Sequence, residues 1–151
     1  INVSETVLLG QPADGPGMLV TNNTKHYRFF GSGNIAGTAQ LRKDGTANLT
    51  IDGTSQLPML INSGALFGGG AIGASTLASG ATLSFSGSIN GGLTAAGTAS
   101  ILPGGSLTGP LALQAGALTN AGTITSSTIA LQSGSYLAED DILRYEDRND
   151  R

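Results

Sequence analysis

The chain has 151 residues, a formal net charge of −3 and no cysteine. Its length suits one domain. Absence of cysteine rules out disulfides, thiol chemistry and a cysteine metal site, and a mildly acidic chain lacks the basic stripe of a nucleic-acid-binding surface.

The chain begins Ile1-Asn2-Val3-Ser4, with no initiator Met and no signal-peptide pattern. The expectation is a mature or excised portion of something longer. Residues 1–25 read as a lead-in or cap. Val7-Leu8-Leu9 is an apolar run closed by Gly10, and Gln11 to Gly17 is a turn cluster with two prolines. Met18-Leu19-Val20 is a second run, and Thr21 to Thr24 turns again. Two short strands are predicted here, placed to cover a sheet edge that would otherwise be open.

His26 to Gly53 follows, with Tyr27 to Phe30 strand-like and Gly at close intervals from Gly31 onward. From Gly53 to Ala138 the chain then has no Asp, Glu, Lys, Arg or His over 86 residues. An ordinary chain is about a quarter charged. Disorder would suit the Gly and Ser content, but Thr82-Leu83-Ser84-Phe85-Ser86 and Thr123-Ile124-Thr125 alternate at the strand period. No window approaches the ~20 apolar residues of a spanning helix. Gly recurs too often for helix, at about 1 kcal/mol per internal position relative to Ala.

Four segments align as repeats, starting at Phe29, Leu66, Leu93 and Leu118, with offsets of 37, 27 and 25 residues. Each has an apolar residue, a Gly four positions on and an apolar or small residue six on. Leu49 to Gly53 also lies over Leu83 to Gly87. Self-similarity of this kind predicts stacked units. A single unit buries almost nothing, but coils stacked roughly 4.8 Å apart align their inward residues into one core. The predicted fold is therefore all-β, a parallel β-solenoid of Gly-rich rungs over 26–138. Its predicted inward set is Ile35, Leu41, Leu49, Ile51, Leu66, Ile72, Leu77, Leu83, Phe85, Leu93, Ile101, Leu107, Leu113, Leu118, Ile124, Ile129 and Leu131.

The last segment, 139–151, changes composition sharply, with six acids and three arginines in thirteen residues. It reads as a solvated tail or polar end cap.

Gly31, Gly33, Ile35, Gly37, Leu41, Lys43, Gly45, Leu49, Thr50, Ile51 and Gly53, after the Phe29-Phe30 pair, fit the spacing F-x-G-S-G-x-I-x-G-x-x-x-L-x-K-x-G-x-G-x-L-T-L-x-G. Ala47 replaces the Gly that ends the K-x-G-x-G stretch of that pattern. In these residues the chain resembles the autotransporter-associated β-strand repeat of bacterial surface and secreted passengers, closely over this stretch and loosely in the later repeats. Gly116 to Ile124 is similar to rungs of passenger stems, and Ile101 to Ser106 to their Pro-Gly corner. The resemblance implies a right-handed parallel β-helix outside a bacterial cell. It carries over no catalytic residue.

Candidates for chemistry are few. His26 is the single histidine, so any Ser-His-Asp triad needs it, and Gly31-Ser32-Gly33 lacks the spacing of a nucleophile elbow. Asp44 and Asp52 could pair as glycosidase carboxylates, but each stands beside a Gly at a predicted corner, where a turn role suffices. Gly68-Gly69-Gly70-Ala71 has no Asp after it for a calcium repeat. Asn2, Asn22 and Asn48 open glycan-acceptor triplets, relevant only where the source glycosylates them. No catalytic, cofactor or metal residue is assigned, and no cofactor is expected.

The reading that fits these features is a non-catalytic structural or adhesive solenoid, extracellular or on a bacterial cell surface. Its candidate partners are other copies, neighbouring repeats, or a host or cell-surface glycan or protein, with no nucleic acid and no membrane span. The alternative is a fragment of a β-helix carbohydrate-active or phage tailspike-type protein. An ice- or crystal-surface binder would require a flat Thr-x-Thr array in every rung, which the sequence does not show.

Overall fold

The computed structural model of the protein describes residues 1–10, 16–126 and 128–139. Among them the regular structure is entirely strand, in three parallel seven-stranded sheets. The first sheet stacks Val7–Leu9, Asn34–Gly37, Thr54–Ser55, Ala71–Ile72, Ser88–Asn90, Ser106–Thr108 and Thr123–Thr125. The second stacks Met18–Thr21, Leu41–Asp44, Met59–Ile61, Ser75–Leu77, Leu93–Ala95, Leu111–Leu113 and Ile129–Leu131. The third stacks Tyr27–Phe29, Leu49–Ile51, Ala65–Gly68, Thr82–Phe85, Thr98–Ile101, Ala117–Asn120 and Tyr136–Glu139. Successive strands visit the three sheets in turn, so every third strand returns to the same sheet one rung on. The chain is a parallel β-solenoid, advancing six times from the first coil to the seventh.

The strands are short because glycine turns the chain at the corners. Gly45, at φ +89°, closes the corner after Leu41–Asp44. A Cβ there would collide with the carbonyl oxygen of Asn22 in the coil beneath. Only a residue without a Cβ combines that φ with that approach.

The coil period differs from the repeat expected from sequence. Stacked partners are 17 residues apart at Leu49 and Leu66 and 18 at Leu93 and Leu111, against the offsets of 25 to 37 found by alignment. The reason is that apolar-then-Gly segments mark several corners of each coil. Leu93 lies in the second sheet, whereas Leu66 and Leu118 lie in the third, so the alignment matched different corners. The longer match, Leu49 to Gly53 over Leu83 to Gly87, is in register two coils apart, because Leu49 and Leu83 both stack on Leu66.

The core is a set of vertical files. One runs Leu41, Met59, Ser75, Leu93, Leu111, Ile129, and another Leu49, Leu66, Leu83, Ala99, Leu118, Leu137. Of the predicted inward set, every residue from Ile35 to Leu118 is buried. Ile124 is partly buried against the core, and Ile129 and Leu131 remain 51% and 54% exposed. Their register on Leu111 and Leu113 gives them the inward face. They stay exposed because no described residue stacks beyond the last coil.

The predicted strands of the lead-in are present at Val7–Leu9 and Met18–Thr21 and form the first rung of two sheets. Most of the turn cluster between them, 11–15, and the charged tail from 140 on lie outside the described residues. No helix among the described residues is long and apolar enough to cross a membrane.

Candidate functional site

Among the described residues up to Ala138, charge is confined to one end. From the start of the chain to Ala138, the described charged side chains all belong to the first two coils and the corner after them. Three groups of contacts hold them there.

The first lies at the third sheet. Arg28, on Tyr27–Phe29, donates from Nε to Asp52 Oδ2 at 2.6 Å. Its guanidinium carbon also stands 5.3 Å from the centre of the Phe30 ring, within cation–π range. Asp52 Oδ1 accepts from the backbone N–H of Gly69 at 3.0 Å, so this carboxylate ties the second coil to the third. Arg28 is 63% exposed, which limits the ion pair to a small contribution.

The second lies at the end of Leu41–Asp44 in the second sheet. Arg42 Nε lies 2.9 Å from Asp44 Oδ2, and the Asn62 side-chain amide donates to Asp44 Oδ1 at 2.9 Å. The hydrogen bond from Arg42 holds the Asp44 carboxyl below the usual carboxylate range, against the opposing effect of its partial burial. Lys43, one residue earlier, is fully buried. Its Nζ donates to the carbonyl oxygens of Gly45 at 2.7 Å, Asp44 at 3.2 Å and Ser63 at 3.3 Å. Burial pushes its amine below the ordinary lysine range, partly offset by the Asp44 charge.

The third is the corner around Asn22 and His26. Asn22 is buried, and its side-chain amide donates to the carbonyls of Lys25 at 2.9 Å and Asn48 at 2.8 Å. His26 Nδ1 accepts from the Asn48 backbone N–H at 3.0 Å. Asn22 is therefore a corner brace whose nitrogen faces the protein, which removes it from the three glycan-acceptor candidates. Asn2 is exposed and Asn48 partly so.

The residues weighed for catalysis are thus engaged by separate partners. Asp44 ends a strand of the second sheet, and Asp52 follows a strand of the third. Each carboxylate is matched to an arginine and an amide donor. A general acid needs a raised pKa, and Asp44 is shifted the other way. Among the described residues no three His, Cys, Asp or Glu side chains group to hold a metal.

Further along, a groove of about 450 Å³ opens on the first sheet, with Thr54, Ser55, Gln56 and Asn90 as its polar lining. Its lining contains no ionisable side chain. It could hydrogen-bond a small polar group through its side-chain amides and hydroxyls, but it supplies no acid or base. The outward side chains of the same sheet include Ser88, Ser106 and Thr123 in one file and Asn90, Thr108 and Thr125 in the next. Only the last of these rungs reads Thr-x-Thr, and Ala71 interrupts the first file.

No protein-family model, curated protein or solved structure matches the chain. What the molecule can do therefore rests on the geometry.

Lys43 and Asn22 are the polar residues whose roles composition did not disclose. Lys43 matched a repeat pattern, but nothing in that pattern marks it as buried. The signal available was its place two residues after Leu41 on a strand, which gives it the same inward face.

Proposed function

We propose that the chain is a non-catalytic structural or adhesive β-solenoid of a bacterial surface or secreted protein, serving as a stalk, adhesin or filament building block. One observation carries this reading. A continuous hydrogen-bonded scaffold presents an uncharged outer surface from Gly53 to Ala138, while Asp44 and Asp52 are each engaged in a fixed pair with an arginine. Such a surface offers repetition and stiffness rather than an acid–base pair. The resemblance to autotransporter-associated repeats supports the extracellular part of the proposal.

Two measurements test it. An antibody to the chain should label intact cells of the source, or detect the chain in their culture medium; confinement to the cell interior would refute the extracellular placement. The purified chain should bind cells or an immobilised glycan panel without turnover. Glycan or peptide cleavage that disappears in the His26→Ala, Asp44→Asn, Asp52→Asn triple variant would instead establish the carbohydrate-active or tailspike-type alternative or another hydrolase.

A further inference from the structure

The groove on the first sheet has a cause in the coil lengths. Thr54, Ala71, Ser88 and Ser106 stack in one outward file of that sheet. Met59, Ser75, Leu93 and Leu111 stack at the start of the second sheet. Four residues join the two files in the coils of Thr54, Ser88 and Ser106, but only three do so in the coil of Ala71. The Ala71 coil therefore cuts its corner short and lies recessed between its neighbours. Gly73 and Ala74 form the floor, Gln56 and Pro58 of the preceding coil one wall, and Asn90 of the following coil the other. The two walls are two rungs apart, about 10 Å from backbone to backbone at the usual strand spacing. A Cβ at Gly73 would collide with the carbonyl oxygens of Gln56 and Leu57, so glycine lets the floor pack directly on the coil beneath.

We propose that this recessed corner is a binding site for a neutral carbohydrate, taking one pyranose ring between its two walls. The wall amides carry the argument. Gln56 and Asn90 are exposed, and among the described residues neither side-chain amide is engaged by another group. Asn22, Asn62 and Asn120, by contrast, spend their amides bracing corners. A side-chain amide presents a donor and an acceptor side by side. Two neighbouring hydroxyls of a sugar ring offer the matching acceptor and donor. The Thr54 hydroxyl adds a third polar contact, and Pro58, Ala71 and Ala74 supply apolar surface for the C–H face of the ring. Few polar groups set in an apolar lining, within a volume of about 450 Å³, fit the range of roughly 300–1,000 Å³ of small-molecule clefts.

The charge of the lining selects the ligand class. It contains no Lys or Arg to hold a phosphate, sulfate or carboxylate, and no Asp or Glu to hold a cation. An ionic ligand would lose its hydration there without gaining a counter-charge, whereas a neutral polyol exchanges water hydrogen bonds for protein ones. The strands around the groove are paired on both sides, so an extended peptide finds no sheet edge to join. The inference rests on the adhesive reading of the proposed function and gives it a place and a ligand class; the stalk reading does not depend on it.

The test is a nuclear magnetic resonance titration of the full chain, labelled with nitrogen-15, against the methyl glycosides of glucose, galactose, mannose, fucose and N-acetylglucosamine. The expected result is saturable shifts, with at least one of these sugars, at the Gln56 and Asn90 side-chain amides and at the backbone amides of Gly73 and Ala74. Ala71 is half-buried and stands in the outward file, so Ala71→Leu fills the groove without entering the core. It should keep the parent's circular dichroism and melting temperature and abolish binding. Gln56→Ala and Asn90→Ala should each weaken binding about three- to tenfold. Full affinity in folded Ala71→Leu, or in the Gln56→Ala, Asn90→Ala double variant, overturns the proposal. Saturable shifts confined to another face also overturn it, while leaving the chain a glycan binder and the adhesive reading intact. Absence of any shift with all five sugars overturns it as well, and leaves the stalk reading standing.

Discussion

The Nζ of Lys43 lies 2.7 Å from the carbonyl oxygen of Gly45, two residues further along the same corner. The Lys43 stem occupies an inward position between Val20 below and Ile61 above. Its charged end turns back to the corner, where two more carbonyls, those of Asp44 and Ser63, accept from it. A long side chain thus fills the core with methylenes and uses its ammonium to satisfy backbone oxygens that the turn leaves over.

Lys43→Ala should destabilise the chain by about 2–5 kcal/mol, from the lost stem volume and the carbonyls left without a donor. Lys43→Met keeps the stem and loses only the hydrogen bonds, so about 1–3 kcal/mol is expected. Urea midpoints of the two variants check the order. Equal midpoints would assign the whole effect to the ammonium and none to packing.

The same corner sets a pH dependence at both extremes. The folded chain holds the Lys43 proton less tightly than the unfolded chain does. Between its lowered value and the ordinary value of about 10.4, the unfolded state binds more protons, so stability rises with pH in that window. For Asp44 the folded pKa is also lowered. Its contribution is complete above the ordinary carboxylate value of about 3.9 and is lost as pH falls through the lowered one. Urea midpoints measured against pH should lose the alkaline rise in Lys43→Met and weaken their acid decline in Asp44→Asn.

Leu83 tests the core file. It stacks between Leu66 and Ala99 and is fully buried. Leu83→Ala should cost about 2–5 kcal/mol. Leu83→Asp buries an unpaired charge and should leave the chain unfolded or aggregated. Circular dichroism and thermal melting decide it, and a wild-type-like melt for Leu83→Asp would contradict the register.

Much of the coil was legible where polar and apolar residues alternate, as in Thr82 to Phe85, because period two places Leu83 and Phe85 on one face. The rung length was not, because corners of different sheets share the same Gly signature. Exposure of Ile129 and Leu131 was also hidden, since sequence periodicity gives a facing direction but not what lies above it. The Arg28–Asp52 ion pair was illegible for a related reason. Arg28 meets Asp52 only once a full coil has closed, 24 residues later.

Glycines separate into two classes. A Cβ at Gly68, at φ +147°, would collide with the carbonyl oxygen of Ile51, whereas one at Gly104, at φ +83°, meets nothing within 4 Å. Gly104→Ala should cost only the left-handed penalty, about 1–2 kcal/mol. Gly68→Ala adds a backbone clash and should cost clearly more. Thermal melts of the two variants compare them directly, and equal losses would show that φ alone governs both positions.

Ala115 is the converse case. It has φ +61°, a conformation that its Cβ disfavours by about 1–2 kcal/mol. Its backbone N–H donates to Ser135 Oγ at 3.0 Å, and that hydroxyl donates to the Leu113 carbonyl at 2.7 Å, so the turn is held by the following coil. Ala115→Gly removes the strain and keeps both hydrogen bonds. The unfolded chain gains freedom in exchange, which offsets about 0.5–1 kcal/mol. The expected net is a stabilisation of about 0.5–1 kcal/mol, read as a higher urea midpoint with an unchanged slope. Ser135→Ala in the same background should reverse it, because the Ala115 N–H then loses its acceptor. A lower midpoint for Ala115→Gly alone would mean that the hydroxyl bridge, rather than backbone preference, determines this corner.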